Sequence, residues 1–377
     1  MFLLKELAGS LGDLGTFVPI AVGMVKIVGF DAATLLTLSG LLTMVSGVLF
    51  RIPMAVQPMK AICALAIAGS LTQGETLCAG WAVGLCLVLF SGFGLIRKLD
   101  PIFPRPVICA LQLAVAWQLL AGGCKLNIGI RVMTAPFFWH ALFIFAVMLG
   151  GYVVLHKRLE WLALGFVVCG LVMAAYTKPS LLAPVSLSLW QPRLAIPVSS
   201  AWAGAWVGGI PQLPLTLLNS VFAVSALAGQ LFPENRDRTT PGKIAFSVGL
   251  MNLIACPLGG MPCCHGSGGL ASQHRMGATT GVSMIMLGAV KLLLGLCFGT
   301  LALAWMTAFP TAILGAFLML AGFSLAEASG FWRTPFSLAV APVMITTQYL
   351  TGSLAVGFGA GWLVDWLIKK RDKGNEP

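Results

Sequence analysis

The chain has 377 residues, of which 58% are hydrophobic and only 9% charged, with a net charge of +11 and a mean hydropathy of +0.93. A soluble domain carries roughly a quarter charged residues, so these values exclude an ordinary water-soluble enzyme or binding module. The basic excess falls in short loops between apolar runs, where membrane topology accounts for it better than nucleic acid does.

Apolar runs recur along the whole length, and strand alternation of a membrane barrel is absent. Helices must therefore satisfy the backbone within the bilayer. The expected fold is an all-α membrane protein with about fourteen transmembrane segments, some only half-length. In the first half they fall at 14–29, 33–50, 56–70, 76–96, 106–122, 136–155 and 160–176. A stretch rich in Pro and Ser, 177–200, leads to the second half at 211–231, 243–257, 263–272, 278–302, 310–326, 335–350 and 353–369. The domain reading is thus two seven-span repeats, 1–176 and 201–377, with no cytoplasmic regulatory domain after the last span. The N-terminus lacks the basic region and small-residue cleavage site of a secretory signal, so the first apolar segment is expected to stay.

Charge supports the count. With the N-terminus cytoplasmic, that side collects Lys5, Arg97, Lys98, Arg105, Lys157, Arg158, Arg236, Arg238, Lys243, Arg275, Arg333 and the basic tail from Lys369. The other side keeps Lys26, Lys125, Arg131, Lys178 and Arg193. Arg51, Lys60 and Lys291 are left within or beside spans. This asymmetry places both termini in the cytoplasm of a cell with the protein in its inner (plasma) membrane. Most of the ten cysteines sit in apolar runs and behave as small hydrophobes, not as a disulfide framework.

Two apolar segments are interrupted by proline at matching places. One reads Arg51 to Ala61 and holds Pro53 and Pro58; the other reads Ala255 to Gly269 and holds Pro257 and Pro262. Both proline pairs are 204 residues apart, and Phe103-Pro104 and Phe309-Pro310 follow at 206. An odd number of spans per repeat requires the second repeat to be inverted, which puts a binding site near the bilayer midplane between broken third and tenth helices.

A half-helix starting in mid-membrane exposes unpaired N–H groups and the positive end of its dipole, and two such starts facing each other make an anion site. In the first break Gln57, Pro58, Met59 and Lys60 are candidate binding residues; in the second, His265, Gly266, Ser267, Gly268 and Gly269. The glycines admit a ligand close to the backbone or, alternatively, admit close helix packing. Lys60 serves a site or pathway, or snorkels to the interface. Gln212, Thr216 and Asn219 share one face of the eighth span, directed at the ligand or at a neighbouring helix. Asp13 pairs with Lys60, relays a coupled proton, or caps the first helix. Cys263-Cys264-His265 is too compact to ligate one metal ion and has no second cluster, so neither a metal nor a cofactor is expected.

These motifs resemble the molybdate transporter family, related to the sulfate permeases. The resemblance is densest from Glu6 to Phe17, from Val56 to Ala61, from Pro211 to Ser220, and from Gly259 through Ala271 to Arg275. It implies a seven-plus-seven inverted-repeat fold in which spans 1–4 and 8–11 form a core and spans 5–7 and 12–14 a gate. It also implies substrate bound between the third and tenth spans, core-against-gate transport, and a possible homodimer. The family commonly reads Gly-Ala-Arg-Thr-Gly where this chain reads Gly277-Ala278-Thr279-Thr280-Gly281. The expected function is secondary active transport of a tetrahedral oxyanion. Residue physics gives the anion and only the resemblance gives molybdate over sulfate. A nucleobase permease of the same fold, an anion channel and a membrane enzyme are the rival readings; no nucleophile–base or metal constellation supports the last.

Overall fold

A computed structural model describes residues 2–67, 69–99, 105–128, 150, 159–182, 189–191, 199–329, 337–352 and 354–374. Nearly all of the predicted sixth span, much of the joining stretch, and Phe103-Pro104 lie outside the described residues. Among the described residues, seven helices are long and apolar enough to cross a membrane. An eighth is added if the bent pair Leu301–Ala308 and Thr311–Glu327, inclined at 79°, counts as one span. That bend falls at Phe309-Pro310, where Phe309 is extended, as steric pressure from a following proline demands.

Several predicted spans coincide with single helices: Ala32–Phe50, Gln73–Gly92, Arg105–Ile128 and Leu159–Thr177. Local chemistry starts them. Asp31 accepts from the Thr34 N–H at 2.7 Å, and Thr72 and Glu75 form a reciprocal capping box at the start of Gln73–Gly92. The first span differs from expectation. Helix begins at Phe2, runs to Ser10, tightens into a 3-10 turn over Leu11–Asp13 and resumes over Leu14–Gly23. The whole apolar stretch Phe2–Val28 is 27 residues long, and the turn, not a helix end, is what Gly12-Asp13 encodes.

Small residues set the tightest helix pair. Ala32–Phe50 packs antiparallel against Val282–Ala308, with Gly47 on Gly281, Gly40 on Gly288 and Ala33 with Thr37 on Gly295. A Cβ added at Gly288 would lie 2.6 Å from the Gly40 carbonyl oxygen and 2.5 Å from Met44 Cγ. Dispersion between closely approached backbones drives such contacts in lipid, where the hydrophobic effect between helices is lost. Elsewhere Gln73–Gly92 packs on Pro241–Ala255, and Arg105–Ile128 packs on Thr311–Ser329, Ser337–Thr351 and Leu354–Gly374. Thr311–Ser329 also lies against Leu14–Gly23. An Arg275–Glu327 ion pair of 3.2 Å ties it to Ser267–Arg275.

Both proline-rich breaks become a short strand followed by a short helix. Strand β1 (Val56–Pro58) precedes Lys60–Ile67, and strand β2 (Cys263–His265) precedes Ser267–Arg275. From Val56 to Cys263 and from Lys60 to Ser267 the offset is 207 residues. The expected proline register of 204 is therefore displaced by three: Pro58 corresponds to His265, not to Pro262. Each half reaches its strand differently. Arg51 turns the first chain in a left-handed conformation at φ 59°, the sole non-glycine with positive φ among the described residues, while Gly259 turns the second at φ 80°. For arginine this costs roughly 1–2 kcal/mol.

Candidate functional site

The two strands pair antiparallel, Val56 with His265, Gln57 with Cys264 and Pro58 with Cys263. Proline has no N–H to give, so its partner must find bonds elsewhere. The Asn252 side chain supplies them: its Oδ1 accepts from the Cys263 N–H at 2.9 Å, and its Nδ2 donates to the Cys263 carbonyl at 2.6 Å. The Met59 N–H donates to the Pro262 carbonyl at 2.8 Å, closing the crossing. Every residue of both strands is buried.

One helical stretch braces the start of each half-helix. From Ala205 to Leu231 the chain is helical throughout, with π turns over Ala205–Gly209 and Thr216–Ala223 around Pro211 and Pro214. Gln212 sends Oε1 to the N–H groups of Ala61 (2.9 Å) and Ile62 (3.3 Å) and donates Nε2 to Thr216 Oγ1 at 2.9 Å. Two of the first half-helix's orphan donors are thereby capped. Seven residues on, Asn219 Oδ1 accepts from Ser267 Oγ at 2.6 Å. The face predicted for Gln212, Thr216 and Asn219 exists, and its groups bind the half-helices.

The second half-helix start is less occupied. Its N-cap, Gly266, makes no side-chain cap bond, and Leu270 N–H is the first to donate to an intrahelical acceptor, the Gly266 carbonyl, at 3.0 Å. The N–H groups of Ser267, Gly268 and Gly269 have no acceptor among the described residues. Around them stand four neighbours. A Cβ on Gly266 would run into the Gln57 amide; one on Gly269 would sit 2.8 Å from Ala55 Cβ and 3.2 Å from Asp13 Oδ1; one on Gly268 would meet Leu119 Cδ1 at 2.5 Å. Gly266 and Gly269 are thus small because strand and turn press on them, whereas Gly268 faces a flexible leucine from Arg105–Ile128.

Gln57 donates its amide to the buried Asp13 carboxylate. Asp13 gives no side-chain cap to Leu14–Gly23, so the capping alternative is not what the structure displays. Its charge instead faces two ammonium groups, Lys291 and Lys60. No carboxylate lies within 4 Å of either lysine: the ion pairs among the described residues are Arg275–Glu327 and Lys369–Asp365. Lys60 is partly buried at the first half-helix start. Lys291 is only 7% exposed, its Nζ 3.7 Å above the centre of the Phe17 ring.

His265 is not brought to this group. Alternation along β2 points it opposite to Cys264. Its Nδ1 contacts the Ala55 carbonyl at 2.9 Å and its Nε2 the Ser247 hydroxyl at 3.3 Å, with Phe50 packed edge-on at 5.2 Å. Both ring nitrogens are engaged, so of the two roles the sequence offers His265, donating to the ligand or orienting the break, the structure displays the second. Met59 and Pro58 are likewise buried backbone elements. Among the described residues no three His, Cys, Asp or Glu side chains group as metal ligands. An open cavity lined by Phe30, Asp31, Trp190, Gln191 and Leu258 contains none of these candidate residues.

The family described as "Molybdate transporter of MFS superfamily" matches residues 5–119 and 204–325, which include both strands and both half-helices. The chain belongs to this molybdate transporter family. It is 33% identical to Molybdate transporter 2 of Arabidopsis thaliana, over 98% of this chain and 88% of that protein. It is 33% identical to Molybdate transporter 1 of Chlamydomonas reinhardtii, over 95% of this chain and 92% of that protein. Its backbone resembles murine Slc26a9, an anion transporter solved in the inward-facing state, with a TM-score of 0.63 and 14% identity over 98% of this chain and 69% of that one. It also resembles the transmembrane domain of the cyanobacterial bicarbonate transporter BicA, with a TM-score of 0.55 and 16% identity over 96% and 97%. As a family member with many apolar helices, the chain is an integral, multi-pass membrane protein.

Thr279 lies against the Glu6 carboxylate. Glu6, fully buried, accepts from the Thr279 N–H and hydroxyl at 2.9 Å, from Thr280 N–H at 3.1 Å and from Ser283 N–H at 3.2 Å. Backbone and hydroxyl donors around the start of Val282–Ala308 thus satisfy the buried carboxylate. Lys291, Asn252 and Leu119 escaped the sequence reading as site neighbours. For Lys291 the signal was present, a single lysine within an apolar run.

Proposed function

We propose that this chain is a secondary active transporter of a tetrahedral oxyanion, molybdate first and sulfate second, held at the start of Ser267–Arg275. The observation that carries the reading is a buried helix start with three unpartnered N–H groups beside two lysines that make no ion pair. An anion entering there gains dipole, donors and charge together, which offsets the loss of its hydration. The names of relatives at 33% identity support molybdate as the substrate.

Gln57 and the Ser267 N–H would orient the oxygens, Lys60 would supply charge, and Gly268 would admit the ligand once Leu119 withdraws. Leu119 lies on Arg105–Ile128, so a shift of that helix and those packed on it, as a gate against the remaining core, would open one side at a time. The larger frame we propose has fourteen spans in two inverted repeats, 1–176 and 201–377 joined through 177–200, with broken third and tenth helices. Both termini face the cytoplasm and the protein resides in the inner membrane, possible as a homodimer, with Asp13 as the coupling group. Reconstituted liposomes loaded at a fixed pH test the activity. Saturable molybdate uptake, competed by tungstate, is expected; uptake no greater than in empty liposomes would overturn it.

A further inference from the structure

Of the two lysines beside the proposed site, Lys291 is the one to which no individual role has been given. It lies on Val282–Ala308 between Gly288 and Gly295, the glycines that bring this helix against Ala32–Phe50. Its ammonium sits over Phe17, one helical turn from Asp13, and faces the Asp13 carboxylate. Asp13 is in turn bound by Gln57, whose amide abuts Gly266 and Gly269 at the second half-helix start. Lys60 faces Asp13 as well. The aromatic ring offsets part of the cost of a dehydrated ammonium, but neither lysine hydrogen-bonds any described residue, an arrangement that burial penalises.

The groups facing this cluster are few. Asp13 meets Lys291, Lys60, Gln57 and the Thr16 hydroxyl; Lys291 also faces the Cys263 thiol, and Lys60 the Cys264 thiol. With both lysines protonated and Asp13 ionised, the empty cluster carries one net positive charge. A bound dianion would turn that into one net negative charge, whereas a dianion together with one proton on the Asp13 carboxylate leaves zero. Low dielectric favours the neutral sum.

We propose that Lys291 is a second countercharge of the oxyanion site, and that with Lys60 it makes the site bind one dianion together with one proton, taken up by Asp13. This rests on the proposed oxyanion reading and adds a residue and a stoichiometry to it. The proton arrives from solvent and rests on Asp13; no bond of the anion is broken. By linkage, uptake of one proton makes the affinity fall about tenfold for each unit of rising pH. Lys291 acts through Asp13 and the charge sum, so it is a positioning residue.

The test is calorimetric titration of the detergent-purified full chain with molybdate near neutral pH, in buffers of different ionisation enthalpy. Wild type should take up close to one proton per bound anion. Asp13→Asn should bind with none and with pH-independent affinity. Lys291→Met should bind at least tenfold more weakly, because the dianion and its proton then leave one net negative charge in the cluster, while Lys291→Arg should restore the affinity. Molybdate binding by wild type without proton uptake would overturn this proposal yet leave the oxyanion site standing; no binding at all would remove both. If Lys291→Met does not fold, wild type, Asp13→Asn and Lys291→Arg decide alone: Lys291→Arg keeps the charge and should keep both affinity and proton count, and its loss of either would overturn the proposal. A Lys291→Met protein that folds and binds molybdate as tightly as wild type would also refute it.

Discussion

Replacing Gln212 by alanine removes the acceptor of two N–H groups at the buried start of Lys60–Ile67. The bond to Ala61 is 2.9 Å and the one to Ile62 is 3.3 Å. Stranding a buried donor costs about 1–3 kcal/mol, and the longer bond belongs at the low end, so the loss should be about 2–4 kcal/mol. That is a factor of roughly 30 to 900 in the unfolding equilibrium. Because both polar ends of Gln212 are already engaged, molybdate affinity should fall far less than stability. Gln212→Glu separates the two effects: the carboxylate keeps the cap and suits the helix dipole, but adds a negative charge near the anion. The assay pairs the unfolding midpoint in detergent with calorimetric affinity. Gln212→Ala with an unchanged midpoint, or Gln212→Glu with undiminished affinity, would refute the assigned cap and its place beside the site.

Other substitutions follow from the same geometry. Lys60→Met should weaken molybdate binding by roughly 10- to 100-fold, as expected for losing a charge-assisted contact of about 1.5–3 kcal/mol, measured by calorimetry; unchanged affinity would take Lys60 out of the site. Gly268→Val should abolish binding with a folded protein recovered by size exclusion, since only the Leu119 side chain stands against it; normal uptake in liposomes would contradict this. Glu6→Ala should lower the unfolding midpoint strongly, by the equivalent of about 3–5 kcal/mol, while affinity stays near wild type.

The places where the chain breaks were legible because proline and glycine punctuate apolar runs regardless of tertiary context. Both breaks became strand-plus-helix units where Pro58 and Pro262 forecast an interruption. Their exact correspondence was not legible. Prolines mark where a helix cannot continue, but Arg51 and Gly259 set where each chain turns, and these shift the register from 204 to 207. Side-chain direction was equally hidden. Whether His265 or Cys264 faces Asp13 depends on strand alternation and register, since a one-residue slip exchanges the faces. The face of Gln212, Thr216 and Asn219 could be read from helical spacing, but not that Gln212 would spend its amide on backbone N–H groups. Lys291 was visible as an anomaly in an apolar run; that it faces Asp13, in a turn more than 270 residues earlier in the chain, follows only from tertiary packing.

The central claim is an oxyanion site at the start of Ser267–Arg275. Calorimetric titration of the purified wild-type chain with molybdate, tungstate, sulfate and uracil in parallel tests it most directly. The account predicts tight binding of molybdate and tungstate, weaker binding of sulfate and none of uracil. Binding of uracil alone would contradict the electrostatic reading and assign the strand crossing to an uncharged ligand.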